Sequence, residues 1–331
     1  MERRVLGRTG RLVSVVGLGT WQLGADWGDV DEGDARAVLD ASAEAGVTFF
    51  DTADVYGDGR SEQIIGSYLA DNPGYGITVA TKMGRREAQD PDNFTLATFR
   101  EWTDRSRANL RTERLDLVQL HCPPTAVYSR DEVYDALDTL VAEGAIASYG
   151  VSVETVDEAL TAIARSGVAT VQIILNAFRL KPLDEVLPAA SAAGVGVIAR
   201  VPLASGLLSG TYTRETTFAD DDHRTFNRDG SAFDVGETFS GVDFETGVEA
   251  ARKFSDLVRD TVAQDLTPAQ AAIAWIWQQP GVTTVIPGAR NVEQARSNAV
   301  AGSAEVLGPL FASGIREIYD EHIRAAVHDR W

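Results

Sequence analysis

Residues 49–69, FFDTADVYGDGRSEQIIGSYL, open on two phenylalanines, stop being apolar at Asp51, and pass through a glycine-bordered loop carrying Tyr56. They end in a segment of helical spacing, SEQIIGSYLA (61–70). A short apolar strand that runs into a helix through a polar loop is one βα unit, and its acid stands where the strand stops.

The unit recurs along the chain. Short apolar runs lie at 13–19, 47–50, 77–81, 115–120, 146–152, 170–175, 195–200 and 283–288. Between them are amphipathic segments such as 31–46, 61–70 and 129–144, several opening at Ser or Asp and closing at Gly. Strands alternating with helices of this length need right-handed crossovers and a parallel sheet. Eight such units predict an α/β fold, a (β/α)8 TIM barrel formed as a single domain over residues 1–331.

Three stretches stand outside the repeat. RRVLGRTGRLV near the N-terminus reads as a β-hairpin that plugs one barrel end, and a C-terminal amphipathic segment adds extra helices, with Trp331 as an anchor. Residues 203–249 show no period and are rich in Gly, Asp, Thr and Phe, which predicts a cover over the site held by its phenylalanines.

In such a barrel the reactive groups stand at the C-terminal strand ends. Here the apolar runs stop at Asp51, Lys82, His121, Ser152 and Arg200, with Tyr56 just beyond the first. A tyrosine is a weak acid, with an ordinary pKa of about 10. An ammonium about 4 Å away at an effective dielectric of ~20 is worth roughly 4 kcal/mol, as much as about three pKa units. Lys82 is therefore expected to lower the Tyr56 pKa, and Asp51 to keep Lys82 charged when buried. His121 is expected to give a substrate oxygen a second hydrogen bond. The predicted catalytic set is Asp51, Tyr56, Lys82 and His121.

The chain of 331 residues carries a formal charge of −19, and only Lys82, Lys181 and Lys253 are lysines. Such an acidic surface argues against nucleic-acid and membrane partners, although a salt-adapted or GC-rich source gives the same composition. The single cysteine, Cys122, excludes an intramolecular disulfide and a cysteine zinc cluster. The histidines His223, His322 and His328 are scattered without zinc spacing, so no metal is expected. The opening MERRVLGRTG has no signal-peptide character and no segment reaches ~20 apolar residues, which predicts a cytoplasmic protein. A homo-oligomer is compatible with all of this.

The motifs GLGTWQLG (17–24), FFDTADVYGDGRSEQIIGSYL, TVATKMG, LDLVQLHCPP, YGVS, VPLASGLL and VIPGARNVEQARSNAVA together resemble the aldo-keto reductase family, in its order, across essentially the whole barrel. The resemblance implies the same four catalytic residues, with Tyr56 as general acid in reducing the carbonyl of an aldehyde, ketone or sugar. It implies a nicotinamide cofactor, NADP(H) rather than NAD(H), bound without a Rossmann fold. Carried over by position, Gly19, Thr20, Trp21 and Asp51 border the cofactor, and Ser152 and Gln172 hold its carboxamide. Pro202, Leu203, Ser205, Gly206 and Leu207 face the pyrophosphate, with Gly206 expected because backbone must approach phosphate closely. Pro287, Gly288, Ala289 and Arg290 border the adenosine phosphate, and Gln294 and Asn298 face adenine. Trp21, Trp27, Tyr56 and His121 would line the substrate pocket.

Three departures bear on the cofactor. Arg200 stands where many family members stack an aromatic ring on the nicotinamide, and its charge would disfavour the oxidised ring. Val153 replaces an asparagine that often binds the carboxamide. The loop PGAR lacks a lysine-serine pair, leaving Arg290 for a 2′-phosphate. The alternative function is a nicotinamide-binding, redox-sensing regulatory barrel with little turnover.

Overall fold

The computed structural model describes residues 1–24, 31–232 and 237–331. Trp27, expected in the substrate pocket, and Phe233 of the insertion lie outside the described residues.

The chain starts with an antiparallel hairpin, β1 (Arg3–Val5) and β2 (Leu12–Ser14), around a turn at Gly7–Thr9. Eight parallel strands follow in chain order around one sheet: β3 (Leu18–Gly19), β4 (Phe49–Asp51), β5 (Thr78–Met83), β6 (Leu117–His121), β7 (Tyr149–Ser152), β8 (Val168–Ile174), β9 (Gly196–Arg200) and β10 (Val282–Val285). The Gly17 and Gly19 amides donate to the Val285 and Pro287 carbonyls at 2.8 and 3.0 Å, which joins the first strand to the last and closes the barrel. All eight apolar runs of the sequence become strands. The first is shared, because its leading residues belong to β2 and only Leu18 and Gly19 enter the barrel.

Helices Glu32–Glu44, Arg60–Asp71, Leu96–Leu110, Asp131–Ala142, Val156–Ile163, Val186–Ala193, Pro268–Trp277 and Val292–Val300 alternate with the strands. Their starts follow local chemistry. Thr95, Thr155 and Thr267 each accept from the amide three residues on in a capping box, which supplies a partner for a helix-start donor. Outward-facing strand residues such as Phe50, Val79, Val118, Leu120, Val171 and Val197 bury against these helices in one large core.

Inward-facing residues alternate with them and form a second, smaller core of Phe49, Ala80, Leu117, Ile198 and Ile286, capped by Leu6 and Val13 of the hairpin. The predicted plug is therefore real, and it closes the N-terminal end. Arg8 fixes it from outside by donating to the carbonyls of Arg165, Ser166, Val168 and Ala193. One step of two residues further along the same inward faces stand Asp51, Lys82, Gln119 and Arg200. The apolar layer at the bottom thus forces a polar layer at the mouth.

The insertion is only partly irregular. Helix Phe244–Thr261 begins inside the span expected to lack structure, with the Asp243 carboxylate accepting from the Thr246 amide at 3.1 Å. Phe218, Phe239 and Phe244 cluster with Tyr212 at ring separations of 5.0 to 6.3 Å, as the cover reading requires, whereas Phe226 is exposed. At the C-terminus Trp331 is buried under the Arg179 guanidinium, 3.6 Å from its ring centre. Among the described residues no helix is long and apolar enough to cross a membrane.

Candidate active site

The strand that ends at Asp51 hands the chain to a turn in which Gly57, Asp58 and Gly59 are all left-handed, with φ of 58, 53 and 94°. A Cβ at Gly57 would stand 2.0 Å from the Gly24 carbonyl oxygen, so this glycine is required. The turn folds Tyr56 back over the barrel mouth and starts helix Arg60–Asp71. Register does the rest: Lys82 is paired with Gln119, His121 with Ser152, and Ser152 with Gln172.

The Lys82 ammonium donates to Asp51 Oδ1 at 2.5 Å, to the Thr52 carbonyl at 2.9 Å and to the Tyr56 hydroxyl at 3.4 Å. All three donor protons are thereby engaged. Burial acts most strongly on Lys82 and works to lower its pKa, but Asp51 and Tyr56 together reverse this and leave it raised. The lysine is charged, as expected.

Tyr56 departs from expectation in sign. Burial is the largest influence and carries its pKa above the ordinary 10.0; Lys82 opposes the rise, while Asp51 and Glu237 add to it. A lone Coulomb pair predicts a fall, but desolvating a phenolate costs more than one ammonium returns. The ring stacks on Trp21 at 5.9 Å and meets the His121 ring edge-on at 5.9 Å.

Asp51 has three donors rather than one. Gln172 and Gln119 donate to its second oxygen at 2.8 and 3.2 Å. Gln119 was missed by sequence reasoning, although it is the polar break in LVQLH two residues before His121, on the same face. Gln172, expected at the carboxamide, is thus shared with the Asp51 carboxylate.

Of these residues Trp21, Asp51, Tyr56, His121 and Gln172 line a cavity of about 460 Å³, while Lys82 and Gln119 lie buried behind its wall. Its lining includes Gly19, Thr20, Trp21, Asp51, Tyr56, His121, Ser152, Gln172 and Arg200, together with Pro202, Leu203, Ser205, Gly206, Pro287, Gly288, Arg290 and Gln294. Three expected contacts do not reach it. Leu207 is wholly buried in the large core, and Ala289 is buried beside it. The Asn298 side chain donates to the Gly288 carbonyl at 3.0 Å, so it supports the loop from behind. Gly206 is left-handed at φ 97°, a conformation that favours glycine, and a Cβ there would lie 2.2 Å from the Tyr212 hydroxyl, which would have to give way. Val153 is fully buried, and its carbonyl accepts from Arg200 at 3.4 Å.

The backbone is strained just beyond two of the lining residues. Cys122, after His121, has φ 43°, and Val201, after Arg200, has φ 54°, which is costly for a β-branched residue. The run Ala204, Ser205 and Gly206 continues left-handed at the wall. Successive turn amides of this kind suit anions.

The insertion contributes His223, Arg224 and Glu237 to the lining. His223, set aside in the sequence for want of zinc spacing, is buried and tilts against Trp21 at 5.7 Å; burial lowers its pKa to about 3, despite Asp222, so it is neutral. Arg200 donates to Glu237 at 2.9 Å, with both side chains nearly out of solvent. None of these insertion residues could be found from periodicity. Among the described residues no group of three or more His, Cys, Asp or Glu could hold a metal ion.

The model of the Aldo/keto reductase family matches residues 15–320. A Mycobacterium bovis protein described as an uncharacterized oxidoreductase is 33% identical over 89% of this chain and 86% of its own length. The glycerol dehydrogenase of Gluconobacter oxydans superposes with a TM-score of 0.78 at 28% identity, over 97% of this chain and 95% of that one. An aldo/keto reductase of Klebsiella pneumoniae, solved in complex with NADP and acetate, superposes with a TM-score of 0.71 at 25% identity over 96% of each chain.

Proposed function

Because the chain belongs to the aldo/keto reductase family of oxidoreductases, we propose that it reduces the carbonyl of an aldehyde, ketone or sugar to an alcohol with a nicotinamide cofactor, NADP(H) in preference to NAD(H). The reduced cofactor, when bound, supplies the hydride for the carbonyl carbon. The cavity suits a dinucleotide: its lining joins the carboxamide partners Ser152 and Gln172, Ser205 and Gly206 of the left-handed turn at 204–206, and Arg290 with Gln294. Arg290 would hold the 2′-phosphate.

Tyr56 is the proton donor. Its raised pKa keeps the hydroxyl protonated at neutral pH, the state a donor needs. As the proton leaves for the carbonyl oxygen, the Lys82 ammonium at 3.4 Å stabilises the growing phenolate, so the interaction strengthens along the reaction. Asp51, braced by Gln119 and Gln172, holds Lys82 in place. His121 directs the carbonyl oxygen toward Tyr56, and Trp21, stacked on the phenol, screens it from water.

The observation that carries this reading is one buried ammonium bonded to both a carboxylate and a phenol that line the same cavity. The test is oxidation of NADPH and NADH with a panel of aldehydes, ketones and sugars, and the reverse reaction with polyols, glycerol among them. Turnover with at least one carbonyl is expected. Tight nucleotide binding with no oxidation across the panel would count against the enzyme and for the redox-sensing alternative.

A further inference from the structure

Arg200 points inward from the end of β9, lines the same cavity as Ser152, Gln172 and Tyr56, and donates to the Val153 carbonyl next to Ser152 at 3.4 Å. A guanidinium cannot shed its proton at any ordinary pH, so only a neighbouring anion can cancel its charge. That anion comes from the insertion. Glu237 accepts from Arg200 at 2.9 Å, and the side chains are 10% and 11% exposed.

Glu237 is held from its own backbone as well. Its carbonyl accepts from the Ser205 hydroxyl at 3.3 Å, and the Phe239 amide donates to the same hydroxyl at 3.2 Å. Ser240 is tied to Asn176 at 3.1 Å. The carboxylate is therefore a fixed element of the wall, and its field reaches Tyr56, where it counts among the groups that disfavour the phenolate. Lys82 and Asp51 already balance each other, and Glu237 offsets the charge of Arg200.

Resting on the reading that the cavity holds a nicotinamide, we propose that Glu237 sets the oxidation-state preference of the site, by cancelling an arginine charge that would otherwise repel the oxidised, cationic ring more than the neutral, reduced one. A charge change next to the ring acts on the two redox forms unequally, and loss of packing acts on them alike. The sign of the effect separates the two.

The experiment measures Kd for the oxidised and reduced forms of whichever dinucleotide, NADP or NAD, binds more tightly, by calorimetric titration. The proteins are wild type, Glu237→Gln, Arg200→Met and the double variant. Glu237→Gln is expected to weaken the oxidised form relative to the reduced form by about tenfold. Arg200→Met should shift the ratio the opposite way, and the double variant should return to within about threefold of wild type. Should Glu237→Gln not fold, the Arg200→Met and double variants carry the same sign test. Equal weakening of both forms, or shifts of one sign in both single variants, overturns the proposal while leaving the cofactor reading intact. Failure of the wild type to bind either nucleotide overturns the cofactor reading and this inference with it.

Discussion

Tyr56 lies between a cation that favours its anion and a buried setting that opposes it, and the setting prevails. The quartet was legible because Asp51, Lys82 and His121 each end an apolar run and Tyr56 follows the first in a glycine-bordered loop; the sign of the phenol's shift was not, because desolvation depends on what packs around the ring. Asp54, in the same loop, shows the same physics more severely. It is wholly buried, and burial, with Glu62 adding, raises its pKa to about 8 despite Arg105 and the Val55 amide. A raised carboxyl pKa contributes stability that is full below the unfolded value of about 4 and is lost as pH rises toward 8. Asp54→Asn should therefore gain on wild type across pH 4 to 8, by up to about 5 kcal/mol, and hold that gain above pH 8. Denaturant melts at pH 4, 6 and 8 check this, and a difference independent of pH contradicts it. Lys82 and Tyr56 also have raised values, so their contribution is full below about 10 and fades only in alkali. Lys82→Met strands the Asp51 carboxylate and should cost about 3–5 kcal/mol, part of it recovered by adding Asp51→Asn. Urea titration of both proteins tests the pair, and a cost below about 1 kcal/mol for the single variant would mean it is not an ion pair in the buried state.

At the scale of elements, the strands were readable as apolar runs, and the hairpin from two short strands flanking a glycine turn. Both depend on local pattern. The shared first run was not separable, since nothing in VSVVGLG marks where the plug strand ends and the barrel strand begins; packing of Val13 against Phe49 decides it. The insertion was harder still: its wall residues are chosen by the Phe218, Phe239 and Phe244 cluster, a tertiary contact with no sequence period. The plug closes the end of the barrel opposite the mouth, so it should stabilise without touching the chemistry. Leu6→Ala is expected to cost 2–5 kcal/mol, on the order seen for buried leucines, with kcat/KM within about threefold of wild type. Thermal melts and steady-state rates below the lowered Tm check this, and a large loss of kcat/KM at full folding would show that the plug shapes the mouth.

For the whole molecule, a charge of −19 repels itself across the surface. Exposed ion pairs such as Arg86–Asp58 and Lys253–Glu321 offset this only slightly, as such pairs contribute about 0–1 kcal/mol each. Screening should help more than it harms, so Tm is expected to rise between roughly 10 mM and 500 mM sodium chloride. Scanning calorimetry over that range decides the point, and a falling Tm would assign stability to the ion pairs instead. The acidic exterior was plain from composition. That the cavity wall concentrates Arg85, Arg200, Arg224 and Arg290 within it was not, because these residues come from segments far apart in the chain that meet only when the barrel closes.

The central claim is that Tyr56 gives up the proton to the carbonyl oxygen while Lys82 holds its hydroxyl. Its most direct test is a single-turnover measurement of NADPH oxidation, with a carbonyl that wild type reduces, for wild type and Tyr56→Phe, alongside NADPH titration of both. Tyr56→Phe should bind NADPH within about threefold of wild type and slow the oxidation step by about 10²–10⁴-fold. An unchanged rate in Tyr56→Phe would place the proton donor elsewhere.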